Sequence, residues 1–241
     1  MVKTPKVDLS CIPERLSAAT PDRLDSTTKK STPRIKAAPP SEERLSNAGP
    51  ARELCVACGL WPYCTTPGMR PFVPKGWTKK LLIVGEAPGG DEDEHSFRPF
   101  TGPAGQLLQQ LLREAGFGVN DVAFVNSVRC RPRKNKTPTM RQVRACRPFL
   151  LRVLLVLEPR FVLGMGSVAL RAFTNSGHGN VTKSRGRTQA VPGLRSEHAG
   201  LAKNPVQPSV WVTYHPAAVL RGAVNLREFI LEDLRNLQKE E

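Results

Sequence analysis

The chain has 241 residues and a formal net charge of +15, with 36 Lys and Arg against 21 Asp and Glu. That length suits one ordinary domain with some chain to spare, and no apolar run approaches the ~18 residues of a membrane span. The N-terminus lacks the basic-then-apolar layout of a secretion signal, so an intracellular protein is expected.

Residues 1–50 are rich in Pro, Ser, Thr and Lys without apolar periodicity, which predicts a disordered arm ahead of a folded domain over 51–241. The arm holds nine Lys and Arg against six Asp and Glu, a net of +3, leaving +12 for the remainder. The basic excess therefore belongs to the folded part and points to a polyanionic partner there.

From Leu81 the pattern alternates strand and helix. Leu81–Val84 reads as a buried strand stopped by Gly85, and Ala104–Ala115 as an amphipathic helix ended by Gly116. Val122–Val125 is a second strand, followed by a helix from about Met140 to Leu157 that Pro159 ends and Pro148 perturbs. Phe161–Leu163 is a third strand and Ser167–Phe173 a short helix. Residues 177–208 form a Gly-, Pro- and Arg-rich loop or hairpin, Val210–Tyr214 is the fourth strand, and Leu226–Leu237 the closing helix. This order predicts a three-layer α/β/α fold around a central, mainly parallel four-stranded sheet.

The polar signals fall at the strand ends: Glu86 after the first, Asn126 after the second, Gly164-Met165-Gly166 at the third, His215 after the fourth. In open parallel sheets ligands bind outside the carboxyl ends of the strands, so four separate segments aim at one crevice. Glu86 lies in Gly85-Glu86-Ala87-Pro88-Gly89 and is followed by the acidic run Asp91 to Glu94. Acid concentrated at the crevice of a basic protein points to function, against a solvated acidic turn or a helix N-terminal cluster; a divalent-metal site lacks a matching carboxylate motif elsewhere. Phe100, between Gly- and Pro-bounded turns, is a candidate stacking ring, although a lone Phe is more often core. The Asn126 amide offers a donor and an acceptor side by side, enough to read one edge of a base. His215 can donate to an oxygen that gains negative charge.

Residues 129–147 hold eight Arg and Lys, among them Arg131, Arg133 and Lys134, a density suited to phosphate contacts; Arg185 and Arg187 add a second basic point. Cys130 and Cys146 bracket this stretch, and Cys55 and Cys58 form a CxxC far upstream. In a reducing compartment four such thiols read better as metal ligands than as disulfides. Zinc and an iron–sulfur centre both accept four thiolates, so the spacing leaves the metal open. Cys64 is a spare thiol or an alternative ligand, and Cys11 lies in the arm.

These pieces together resemble the family 4 uracil-DNA glycosylases, the iron–sulfur members of their superfamily. The matching segments are CVAC, GEAPGGDED, RPFTGPAGQLLQQLL, VNSVRCRP, RACRPFL, LGMGSVAL, SRGR and YHPAAVLR, in the family's order over about residues 53–237. The resemblance implies a [4Fe–4S] cluster on Cys55, Cys58, Cys130 and Cys146. It implies a uracil site where Phe100 stacks, Asn126 bonds the polar edge and Ala87 lines the base. His215 then stabilises the leaving base, Glu86 or Glu92 orients water or favours the developing sugar cation, and the loop of Val219, Leu220 and Arg221 wedges into DNA. The implied partner is uracil-containing DNA, single- or double-stranded, served by an intracellular, nucleoid-associated monomer with no membrane attachment. An iron–sulfur DNA-binding protein of the same fold with lost or altered activity is the alternative; a small-molecule nucleotide enzyme fits the charge less well. Two departures stand out. The segment Asp93–Arg98 is one residue longer than the family's loop and lacks its glycine, so Phe97 competes with Phe100 for the stacking position. A DNA-trapping branch of the superfamily has Gln where this chain has Ala87, so turnover is expected.

Overall fold

In a computed structural model the described residues are Cys55, 57–187, 191–194 and 208–240. The predicted arm, Cys11 and part of the 177–208 segment lie outside them. Strands β1 (Leu81–Gly85), β2 (Val122–Asn126), β3 (Phe161–Met165), β4 (Gly186–Arg187) and β5 (Ser209–Thr213) form one sheet in the order β2-β1-β3-β5-β4. Four strands are parallel, as expected; β4 adds a two-residue antiparallel edge beside β5.

Helices occupy both faces: α1 (Pro103–Glu114), α2 (Met140–Leu157), α3 (Gly166–Thr174), α4 (Val181–Ser184), α5 (Pro216–Leu220) and α6 (Leu226–Lys239). Every residue of β1, β2 and β3 is buried, which is why these strands read as unbroken apolar runs rather than alternating ones. Alternation survives in the direction of the side chains. Leu81, Ile83, Phe124 and Leu163 join the core under α1 and α6, whereas Leu82, Val84, Val125 and Val162 join the core under α2 and α3.

Helix α2 begins at a capping box, in which the Thr139 side chain accepts from Gln142 N and the Gln142 side chain accepts from Thr139 N. It runs through Pro148 without ending, because Leu150, Leu151, Val153 and Leu154 are buried beyond it and packing outweighs the local cost of the proline. The chain leaves β1 for β2 on one side and returns past β1 to β3, so the strand order reverses between β1 and β3. A crevice therefore opens at their carboxyl ends.

The segment ahead of β1 returns along the free edge of β2. Phe72 exchanges both backbone bonds with Phe124, and Met69 N donates to Arg129 O at 2.8 Å. The buried Arg129 side chain ties the same strip, donating to Met69 O and Gly68 O. This pairing carries residues 57–69 to the place where β2 runs into Cys130.

Gly105, in the first turn of α1, packs against the backbone of Phe100; a Cβ there would lie 2.1 Å from Phe100 O. Gly105→Ala is expected to destabilise the fold by about 1–3 kcal/mol through overpacking, read as a lower urea midpoint at unchanged slope.

Candidate active site and thiol centre

The crevice is built around the last residue of β1. Gly85 pairs with Asn126, and a Cβ on Gly85 would come within 2.4 Å of Asn126 Oδ1 and 2.6 Å of the Phe100 ring. The Asn126 amide and the Phe100 ring thus share the space above a residue that has no side chain. Asn126 is buried, and among the described residues its Nδ2 has no hydrogen-bond partner. A buried amide donor left unpaired is costly, so the position is suited to a ligand acceptor.

Phe100 is held there by several constraints. Its backbone is left-handed, at φ 61°, its carbonyl accepts from Gln109 Nε2 at 3.0 Å, and its ring lies 5.2 Å from that of Phe124. Phe97 and Phe100 are placed differently. A bond from Phe97 N to Glu92 O closes a π-turn over Glu92–Ser96. Phe97 takes the left-handed conformation a glycine would have supplied, at φ 56°, and its ring is 56% exposed; Phe100 is 5% exposed.

Beside this pocket a cleft of about 140 Å³ is lined by Glu86, Ala87, Lys136, His215, Ala217 and Arg221 among others. His215 caps α5, its Nδ1 accepting from Ala217 N at 3.1 Å, so the neutral ring carries its proton on Nε2. Burial, with the Arg221 guanidinium adding to it, lowers its pKa to about 4. Burial raises the Glu86 carboxyl above the usual range, opposed by Arg221, Thr137 and Arg171. A larger cleft of about 410 Å³ lies along the β2 edge, lined by Phe72, Arg98, Leu112 and Phe117, and contains none of these groups.

Glu92 stands apart from Glu86. Its Oε2 accepts from Gly89 N at 2.9 Å and its Oε1 from Thr101 N at 3.2 Å, so the buried carboxylate fastens the loop after β1 to the turn carrying Phe100. It does not line the His215 cleft.

The predicted basic contacts divide. Arg133 is exposed and lies over the Tyr63 ring at 4.0 Å, and Lys134 and Arg221 are exposed. Arg131 is turned inward on Glu94, Asp93 and Asn135. Arg185, expected on DNA, is instead spent on the fold: it donates to Asp233, Glu232 and Phe229 O and covers the Phe229 ring at 4.6 Å. The reason is electrostatic, since buried Asp233 needs a cation more than the surface does. Arg129 and Arg147 are also buried, Arg147 donating to Ala172 O, Phe173 O and Pro192 O. The side chain of Arg187 lies outside the described residues. In α5 the expected wedge also splits, because Val219 packs on the core while Leu220 is 54% exposed.

The strip along β2 gathers five thiols. All five are free thiols, with Cys58 beside Cys146, Cys64 beside Cys130, and Cys55 an electrostatic neighbour of Cys130 and Cys58. Cys130 Sγ also accepts from Gly68 N at 3.2 Å. The neighbouring Cys146 pulls the Cys58 thiol down to about 6, with burial opposing and the Leu60 and Trp61 amides assisting. Among the described residues no three Cys, His, Asp or Glu are spaced around one common ion position. The fit to a thiolate-held group rests on Arg129: this buried cation leaves Nη1 without a partner among the described residues and has the Cys146, Cys55 and Cys130 side chains as electrostatic neighbours, where thiolates would balance it. Cys64 belongs to this gathering by position, which spacing alone did not disclose.

A model of the uracil DNA glycosylase superfamily matches residues 73–237. The chain belongs to that superfamily. A type-4 uracil-DNA glycosylase of Pyrobaculum aerophilum is 38% identical over 73% of this chain and 84% of its own length. Type-4 enzymes of Thermotoga maritima and Sulfurisphaera tokodaii are 37% and 32% identical, over 64% and 77% of this chain and 74% and 79% of their own lengths. Membership accounts for the order of the motifs along the sheet. Among the described residues no helix is long and apolar enough to cross a membrane.

Because the His215 pKa lies below its unfolded value of 6.5, the unfolded chain binds more protons between about pH 4 and 6.5. This histidine is therefore expected to cost stability as pH falls through that window and to cost none above it. An NMR titration should place its midpoint near 4, and His215→Gln should flatten the pH dependence of the denaturation midpoint there.

Proposed function

We propose that the protein excises uracil from DNA, hydrolysing the N-glycosidic bond and leaving an abasic site. The observation that carries this reading is the unpaired Asn126 amide beneath Phe100, one residue from a cleft shared by Glu86 and His215. A base inside a duplex cannot reach such a pocket, so the nucleotide must be extruded, at a cost of a few kcal/mol. Stacking on Phe100 offsets part of that cost. Asn126 supplies the complement to uracil's polar edge, its Nδ2 donating to O4 and its Oδ1 accepting from N3–H. Cytosine presents a donor where uracil presents O4 and would leave two donors opposed.

As the C1′–N1 bond breaks, its electron pair leaves with the base. Neutral His215 donates from Nε2 to the base oxygen on which the charge collects, and its depressed pKa keeps it a hydrogen-bond donor rather than a strong acid. Glu86 faces the sugar side, where its charge favours the developing cation and orients the water whose oxygen bonds to C1′. Glu92 positions the loops. Leu220 fills the vacated stack, and Arg221, Arg133 and Lys134 hold phosphates. Uracil-containing DNA, single- or double-stranded, is the partner of a monomer.

Cys55, Cys58, Cys130 and Cys146 would hold a [4Fe–4S] cluster, which supplies cross-linking of the β2 strip to α2 rather than a step of the hydrolysis. Arg129 balances its thiolates, a role the buried guanidinium supports.

The purified protein is expected to release free uracil from both single- and double-stranded substrates; no release from either would overturn the reading. Parallel hypoxanthine and thymine-mismatch substrates define specificity. His215→Ala and Asn126→Ala should each lower the single-turnover rate by about 10²–10³. Arg133→Ala should leave that rate intact and reduce the salt slope of binding by about one. Iron and acid-labile sulfide should co-purify with the protein, and stoichiometric zinc in their place would refute the cluster.

A further inference from the structure

The buried carboxylate of Asp93 has no place in the chemistry above, yet it is only 1% exposed and fully engaged. Its Oδ2 accepts from Thr65 N at 3.0 Å and its Oδ1 from Thr66 N at 2.7 Å, while its own carbonyl accepts from Thr66 Oγ1 at 2.7 Å. Thr65 and Thr66 directly follow Cys64, and two residues later Gly68 N donates to Cys130 Sγ. On its other side Asp93 belongs to the π-turn, its N–H donating to Gly89 O at 3.0 Å, next to the Glu92 carboxylate that binds Gly89 N and Thr101 N. Arg131, the residue after Cys130, closes the same knot from below through Glu94 and, at 3.9 Å, Asp93.

From these contacts we propose that Asp93 is a positioning residue that couples the thiol centre to the base pocket. The path runs from the cysteine strip through the Thr65 and Thr66 amides to Asp93, then through Glu92 to Gly89 and Thr101, the two shoulders of the pocket under Phe100. Short, fully satisfied bonds to a buried charge make this connection stiff. The backbone bonds of Met69 and Phe72 go to Arg129 and Phe124, and the Arg98 guanidinium over the Phe72 ring at 5.2 Å is a contact of this strip with residues 87–101 that involves neither Gly89 nor Thr101. Loss of the thiol-held group therefore loosens the pocket through the Asp93 knot, without any change in Asn126, His215 or Glu86. The coupling rests on the glycosylase reading for its consequence, but its structural part can be tested independently.

The substitution Asp93→Asn keeps the volume and loses one of the two acceptors, setting an NH₂ against a backbone N–H. Hydrogen exchange on the whole protein, with its bound metal, is expected to show faster exchange at Thr65 and Thr66 and also at Gly89 and Thr101. Loosening confined to Thr65 and Thr66 would overturn the coupling. The milder Thr66→Val, which removes only the hydroxyl bond to the Asp93 carbonyl, should move the same four amides less; if Asp93→Asn fails to fold, this variant decides the matter by the same criterion. In Asp93→Asn the inhibition constant for free uracil should rise about tenfold, the loss of roughly one well-placed hydrogen bond. Affinity for DNA bearing an abasic site, which has no base to fill the pocket, should hold. Equal weakening of both would mean general damage and would refute a positioning role. Absence of uracil release by the unmodified protein would sink the glycosylase reading while leaving the exchange result to judge the coupling.

Discussion

The absence of a side chain at Gly85 is the constraint on which the site depends. A parallel strand normally ends by sending its last side chain to one face or the other, and here that space holds the Asn126 amide and the Phe100 ring instead. Strand pairing fixes Asn126 opposite Gly85, and the left-handed Phe100, held by Gly105 and Gln109, brings the ring down from above. A polar group and an aromatic face meet at a buried point, and among the described residues the amide donor has no partner. Strain and an unpaired donor are both costly, and their coincidence is what a site for a planar, hydrogen-bonding ligand requires.

Much of this frame was legible in the sequence. Unbroken apolar runs gave β1, β2 and β3, and the polar residues following them marked the crevice, because a parallel sheet with both faces covered leaves only its strand ends for chemistry. The fate of the arginines was far less legible. Arg131 and Arg185 read as DNA contacts from density alone, but each is paired to carboxylates that only the folded chain brings near, Glu94 and Asp93 in one case, Asp233 and Glu232 in the other. Arg129 and Arg147 vanish into the interior for the same reason, as donors to carbonyls from distant segments. Charge counts report solvation only where no long-range partner exists. The return of residues 55–72 along β2 was equally hidden, since an isolated bridge at Phe72 has no periodicity to announce it.

The chain is strongly basic, yet the pocket itself is not. Among the described residues, Arg221 and Arg171 act on Glu86 and Arg221 on His215, with opposite effects: they hold Glu86 toward its charged form and His215 toward its neutral one. A neutral imidazole whose Nδ1 is occupied by a backbone amide has one fixed donor to offer. A half-buried carboxylate near that donor gives the cleft an anionic side and a hydrogen-bond-donating side. Separating charge across a bond needs that polarity, with the donor toward the departing electron pair and the anion toward the cation left behind.

The segment after Asp93 shows how the ring of Phe100 is kept in place. A loop free at its ends would let such a ring move. Here both ends of the segment are pinned, by Asp93 and Glu92 to backbone amides at one end and by Gly105 and Gln109 at the other. The chain between them bulges outward: one helical turn is widened into a π-turn, and Phe97 is turned to solvent in a conformation that glycine would adopt more cheaply. Keeping a phenylalanine there costs conformational energy, and the two carboxylates are what make that cost bearable: they hold the pocket in register whatever the tip of the loop does.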